Sequence, residues 1–439
     1  MPQEPQTGVP HAPRPPARSA RSTRRAWSAR NAGTARTART REGGAPADGR
    51  DAFLDNAKYL LIVLVAVGHA WEPLEESQTL RALYLFVYTF HMPAFILICG
   101  YLSRSFTGSP RQLRRLVSGV VVPYVVFETA YSLFERRFGD DPNHPISLLD
   151  PWYLTWFLAA LFVWRLTAPL WRRLRHPLPL ALLVAALATT SPAIGQDLDL
   201  QRTLQFLPCF VVGLCLRREH LEWVRRREVR LLSVPVVAAA ALTAYWAVPR
   251  VETDWFYRRA SAQELGEPWW NGPIMSLSLF GCAMLLTAAF LAWVPARRTW
   301  FTVLGAGTIC GYLLHGFLLT GAEYGGFFEA YSWPHDPAGT VLLSLVTALA
   351  VTLMCSPPVR RLLRPVTEPD LRWAFRSETP DETRSAPGER PEARPGPEPA
   401  ARTRDTSETP DGSEARDTSL GTSRSTSLGT SRASEASRG

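Results

Sequence analysis

The sequence predicts an all-α membrane protein, a polytopic bundle of about ten transmembrane helices between two disordered polar tails. Three observations predict it. Apolar runs of roughly 17–25 residues recur through the middle of the chain, each long enough to cross a hydrocarbon core about 30 Å thick. The loops between them alternate in charge. The two ends, by contrast, hold too few aliphatic residues to offset the entropy of ordering. The 439 residues therefore divide into a basic tail at 1–50, a membrane domain at 51–365 and a polar tail at 366–439, where the phrase TSLGTSR occurs twice.

Taken in order, the expected spans are 53–72, 80–102, 114–134, 152–170, 178–194, 203–217, 231–248, 272–295, 300–321 and 338–356, the sixth being short. Pro93, Pro123, Pro208 and Pro235 fall in or beside spans. Membrane helices tolerate proline where neighbours satisfy the freed carbonyls. A soluble helical protein cannot explain so many long apolar runs, and a signal-anchored one needs only one.

Charge sets the orientation. The first 50 residues carry ten arginines against three acids. Every second loop then carries clustered arginines, at 104–115, 171–176, 217–230, 296–299 and 360–364, whereas the intervening loops are mixed or acidic, as in FGDDPNHP and GQDLDL. The positive-inside rule places both termini in the cytoplasm. Arginine-rich, lysine-poor usage points to a GC-rich bacterial genome, and so to a bacterial plasma membrane. The net charge of +9 follows from loop topology and needs no nucleic-acid partner. The six cysteines lie in spans without metal-ligand spacing, so neither a disulfide framework nor a metal site is expected.

Ionisable residues inside spans are costly and mark candidate sites. The stretch DNAKYLLIVLVAVGHA, residues 55–70, holds Lys58, the only lysine in the chain, and His69. Eleven residues make three turns plus about 20°, so both side chains share one helix face about 16 Å apart in rise. A cation at the inner mouth can hold an anion while a histidine deeper in the stripe handles a proton. Alternatively, Lys58 and Asp55 snorkel at one interface and His69 ends the helix at the other. His91, before Pro93, is either catalytic or bonded to a carbonyl that the proline frees. His315 lies at a depth similar to His69 and either joins its cavity or packs between helices. Glu128 either orients a histidine or makes an interhelical hydrogen bond. Arg111, Arg114 and Arg115 open the third span on the basic side. Arg111 and Arg114 are one turn apart, which suits phosphate, although a positive-inside cluster accounts for them equally.

At these residues the sequence resembles the acyltransferase 3 family of integral-membrane acyltransferases, and in particular its fucose 4-O-acetylase-like branch. The resemblance rests on RDAFLDNAKYLLIVLVAVGHA, FVYTFHMPAFILICGYL, RRLVSGVVVPY, WYLTWFL, LQFLPCFVVGL and GYLLHG, in that order over residues 50–360. The family's Arg/Lys-x10-His motif falls on Lys58 and His69, and its Arg-x-x-Arg motif on Arg111 and Arg114. The resemblance implies an acyl-CoA co-substrate, usually acetyl-CoA, bound from the cytosol. It also implies a hydroxyl acceptor on the outer side: a glycan, a glycolipid or a secondary metabolite. The extra extracellular hydrolase-like domain of some members is not found, so transfer is expected to finish within the membrane domain. On this reading Arg111, Arg114, Arg115 and Lys58 hold the CoA phosphates, and His69 serves as general base or acyl carrier. A transporter or flippase for a lipid-linked sugar is the rival reading. It predicts paired broken helices in two repeats, and none is evident. A scaffold or sensor worked by the tails is a third.

Overall fold

The computed structural model describes residues 51–371, apart from 75–76 and 195–196, together with residue 374. The chain divides into 1–377 and 378–439, and only the first unit contains described residues. The expected disordered tails therefore lie outside the described residues, apart from 366–371 and 374.

Every regular element among the described residues is a helix. Ten of them correspond to the ten expected spans: α1 Ala52–Trp71, α2 Gln78–Leu102, α3 Pro110–Phe138, α4 Trp156–Arg173, α5 Pro177–Ala188, α6 Leu200–Cys215, α7 Arg227–Ala247, α8 Asn271–Trp293, α9 Thr308–Tyr324 and α10 Pro337–Met354. Six of the ten, namely α1, α2, α3, α7, α8 and α10, are long and apolar enough to cross a membrane. The other four are shorter or more charged. α5 has 12 residues, a rise of only about 18 Å. It stops at Ala188, just before the Thr-Thr-Ser-Pro stretch. α4 carries Arg165, Arg172 and Arg173. α9 begins at Thr308, not at 300, because residues 302–306 wind into a 3-10 turn. That turn is pressed against backbone: a Cβ on Gly305 would strike Asp55, and one on Gly307 would strike Cys355.

Local signals explain the boundaries. Asp51 caps α1 by accepting from the Phe53 N–H at 2.9 Å. Ser109 and Gln112 form a capping box at the start of α3. Within α3, Val117–Val121 loosens into a π-helical turn just ahead of Pro123, which has no N–H to donate to the ladder.

α1 and α2 form the centre. α1 packs on α2, α9 and α10, and α2 on α6, α7 and α8. α2 crosses α6 closely because Gly100 and Gly213 face each other there; a Cβ on either would meet the other helix's backbone. The core runs through Ile62, Ile96, Trp164, Phe210 and Leu313, all with almost no exposed surface. α7 and α10 are peripheral and turn Leu231, Leu232, Leu242, Leu345 and Leu349 outward, more than half exposed. Such apolar outer faces suit lipid.

The bundle has two chemically distinct ends. One carries the arginine-rich loops. There Asn56, fully buried, satisfies all its hydrogen-bonding capacity. Its amide donates to the carbonyls of Pro295 at 2.8 Å and Arg297 at 3.0 Å, and its oxygen accepts from Thr299 and Thr302. Arg104 ties α2 to the Leu216 carbonyl at 3.0 Å, and the Arg225 guanidinium covers the Phe53 ring. At the opposite end the loops interlock. The Ala262 N–H donates to the Thr189 carbonyl at 2.9 Å, Arg202 donates to the Tyr257 carbonyl at 2.9 Å, and Trp71 donates to the Ser344 hydroxyl at 2.9 Å.

Candidate active site

His69 closes α1 at the end away from the arginine-rich loops. Its Nδ1 lies 3.1 Å from a carboxylate oxygen of Glu72. An ionised carboxylate only accepts, so Nδ1 carries a proton, and in the neutral imidazole Nε2 then keeps its lone pair. The Tyr153 ring centroid is 5.6 Å from the imidazole and that of His315 is 5.8 Å. His315 is fully buried, and its Nδ1–H donates to the Gly311 carbonyl at 2.9 Å, whereas its Nε2 has no hydrogen-bond partner among the described residues.

His91 has the same tautomer, with Nδ1–H donating to the Val87 carbonyl at 2.9 Å. That is not the carbonyl which Pro93 frees; a proline at 93 leaves Thr89 without its helical partner. His91 and His69 line one cavity of about 110 Å3, together with Glu72, Tyr88, Trp156, Arg202 and Arg259. A second cavity of about 270 Å3 shares His69, Glu72 and Tyr153, and adds Glu323.

Glu128 is buried, and it touches no histidine through its hydrogen bonds. It accepts from the Trp152 N–H at 3.0 Å, from the Thr155 hydroxyl and, at 3.5 Å, from Ser132. It thereby clamps the loop just before α4. That loop holds Tyr153 at φ +50°, a left-handed conformation uncommon for such a side chain. The clamp explains why α4 begins at Trp156, later than hydropathy alone suggests. Glu128 thus fixes the loop that carries Tyr153, whose ring lies 5.6 Å from the His69 imidazole.

At the arginine-rich end, Lys58 forms an ion pair with Asp55 at 2.8 Å. On the face between Lys58 and His69 stand Ile62, fully buried in the core, and Val65, which lines the cavity of about 110 Å3. Lys58 lines neither of the two cavities just described. Arg111, Arg114 and Arg115 occupy the first turns of α3 at this same end, Arg114 half-buried and the others exposed. The structure adds cations here that sequence reasoning missed. Arg165 shares with Lys58 electrostatic reach to Cys99, and its buried Nε has no hydrogen-bond partner among the described residues. A cavity of about 240 Å3 at the foot of α1 is lined by Asp55, Arg298, Thr299, Thr302 and Arg360.

Glu72 was also missed, although the sequence offered a signal: it stands three residues after His69, on a neighbouring face of the same helical turn. Tyr153 and Arg259 come from distant loops and Arg202 from the first turn of α6, and no spacing pointed to them. Among the described residues no group of three or more His, Cys, Asp or Glu side chains is placed to hold a metal ion. The six cysteines are unpaired.

No curated protein and no solved structure matches the chain significantly. A family model does: that of the acyltransferase 3 family, described as an acyltransferase domain, matches residues 51–356. The match covers well over half of the chain and takes in both ends of the bundle, Lys58 and the arginine loops as well as His69 and its cavity. The chain therefore belongs to the acyltransferase 3 family and is a multi-helix membrane acyltransferase.

Proposed function

We propose that the protein transfers an acetyl group from cytosolic acetyl-CoA to a hydroxyl of a carbohydrate acceptor on the outer side of a bacterial plasma membrane. The observation that carries this reading is His69 itself. Its Nδ1–H is engaged by Glu72, and it forms part of the wall of a cavity with aromatic and cationic sides. That arrangement leaves Nε2 with a lone pair for an acceptor hydroxyl, the same logic as a histidine oriented by a carboxylate in a hydrolytic triad.

The arginine-rich end faces the cytosol by the positive-inside rule. There Lys58, Arg111, Arg114 and Arg115 hold the phosphates of the donor, with Arg298 and Arg360 beside them. For the pantetheine arm to bring the thioester to His69, the packing at Ile62, which closes the α1 face in this structure, has to open. In the transfer step Nε2 takes the proton of the acceptor hydroxyl as its oxygen attacks the thioester carbonyl. The C–O bond forms, the C–S bond breaks, and the CoA thiolate leaves with the proton from the imidazolium. His91 lines the wall behind this step, His315 packs beside the His69 ring, and Glu128 holds the Tyr153 loop in front of it.

The test is purified full-length protein with radiolabelled acetyl-CoA and a panel of sugar acceptors. Labelled product that disappears in His69→Ala, with melting temperature and membrane insertion retained, supports the reading. Full activity in that variant removes His69 from the chemistry. An intact fold that never labels any product favours a transporter.

A further inference from the structure

The charge of the loops at the His69 end points to the kind of acceptor, and this step rests on the transferase reading above. The positive-inside rule disfavours arginine on the side away from the cytosol. Yet Arg202, Arg258 and Arg259 converge at that end. Two of them have structural work. Arg258, almost fully buried, donates to the Gln205 carbonyl at 3.1 Å and covers the Phe206 ring; burial pushes its guanidinium pKa down. Arg202, also buried, pairs with Asp199 at 3.3 Å and lies 4.8 Å over the Trp156 ring.

Arg259 has no such commitment. It lines the cavity that holds His69 as an exposed side chain, without a hydrogen bond or ion pair among the described residues. Two carboxylates near the cavity have closer cationic partners: Asp199, which is also in electrostatic reach of Arg259, pairs with Arg202, and Glu72 with His69. A directly bound anion for Arg259 is left for the ligand to supply. A guanidinium fork suits a carboxylate or a phosphate, which it binds through paired N–H donors. The remaining walls include Tyr88 and Tyr257, whose rings add aromatic surface for the C–H side of a sugar. The volume fits an edge rather than a whole saccharide: about 110 Å3 here, with about 270 Å3 in the adjoining cavity, against roughly 300 Å3 or more for a pocket that encloses a drug-sized ligand.

We propose that the acceptor is an anionic sugar, with its carboxylate or phosphate against Arg259 and a neighbouring hydroxyl at His69. The anion supplies recognition, and the histidine supplies chemistry. Neutral sugars of the same ring are poor ligands.

The experiment uses purified full-length protein in detergent. Binding of methyl glucuronide, glucose 6-phosphate and methyl glucoside is measured by thermal shift, and acetyl transfer to each is measured in parallel. One of the two anions is expected to bind about tenfold or more tightly than the glucoside, as for a charge-assisted pair; which anion wins separates the carboxylate from the phosphate. Arg259→Gln removes that preference. Arg250→Gln, at an exposed arginine of the same end whose bond is to the Trp246 carbonyl, leaves it intact. His69→Ala keeps binding and loses transfer. Equal binding of all three sugars, or a preference unchanged in Arg259→Gln, overturns the proposal. Anion-selective binding that Arg259→Gln abolishes, without transfer to any sugar, keeps the anion site but overturns the transferase reading and with it the sugar's part as acceptor. Equally efficient transfer to glucoside and glucuronide does the reverse.

Discussion

Replacing Glu72 by glutamine tests the site at its smallest joint. The side chain keeps its shape and its reach to His69 Nδ1 but loses its charge. A hydrogen bond to a charged partner contributes about 1.5–3 kcal/mol and a neutral one about 0.5–1.5 kcal/mol. The Glu72 side chain is 39 % exposed, so water screens the pair and the lower end of the difference applies, about 1–1.5 kcal/mol. At 1.4 kcal/mol per factor of ten, kcat should fall roughly 5–10-fold. The glutamine amide can also rotate to donate, which turns the imidazole to the tautomer with its proton on Nε2 and removes the base. That route makes the loss larger. KM for acetyl-CoA should stay unchanged, because the proposed reading puts the donor's phosphates at the other end of α1. The assay is acetyl transfer by purified protein over a range of both substrates, with melting temperature as the control for folding. A Glu72→Gln enzyme with wild-type kcat, or one whose only change is in KM for acetyl-CoA, would refute the reasoning.

Three further substitutions separate the roles of the two ends. Lys58→Ala should raise KM for acetyl-CoA about tenfold or more, because it removes a proposed phosphate partner and leaves Asp55 buried without its cation, whereas Lys58→Arg should change it little; steady-state kinetics of the two variants decide this. Asn56→Ala strips two buried carbonyls and two threonines of their partner, so melting in detergent should report a loss of about 2–4 kcal/mol. Glu128→Ala frees the Trp152 N–H and the Thr155 hydroxyl, and should lower kcat with KM for acetyl-CoA unchanged; a change confined to that KM would place Glu128 elsewhere in the mechanism.

Much of the bundle was legible because lipid imposes a simple rule on sequence. Where backbone groups find no water, helices must satisfy them internally, and long apolar runs mark those helices. α1, α2, α7, α8 and α10 begin and end close to where hydropathy put them. The departures have local causes that hydropathy does not register. α9 starts late because Gly305 and Gly307 let a 3-10 turn press on the backbones of Asp55 and Cys355. α4 starts late because Glu128, from another helix, holds the residues before it. Neither cause is periodic, so neither appears in a window average.

The sequence by itself determined the helical class, the sorting of arginines onto alternate loops, and the alignment of Lys58 with His69. Each of these is a property of spacing or composition along one segment. Only the tertiary structure decided what surrounds His69. It set Glu72 on Nδ1, brought His315 and Tyr153 to within 6 Å, and led Arg202 and Arg259 in from distant parts of the chain. Helical period fixes which residues share a face, but contacts between a helix and remote loops depend on how the whole bundle packs. The wall of this cavity is made of such contacts, which is why His69 could be singled out from one segment and its surroundings could not.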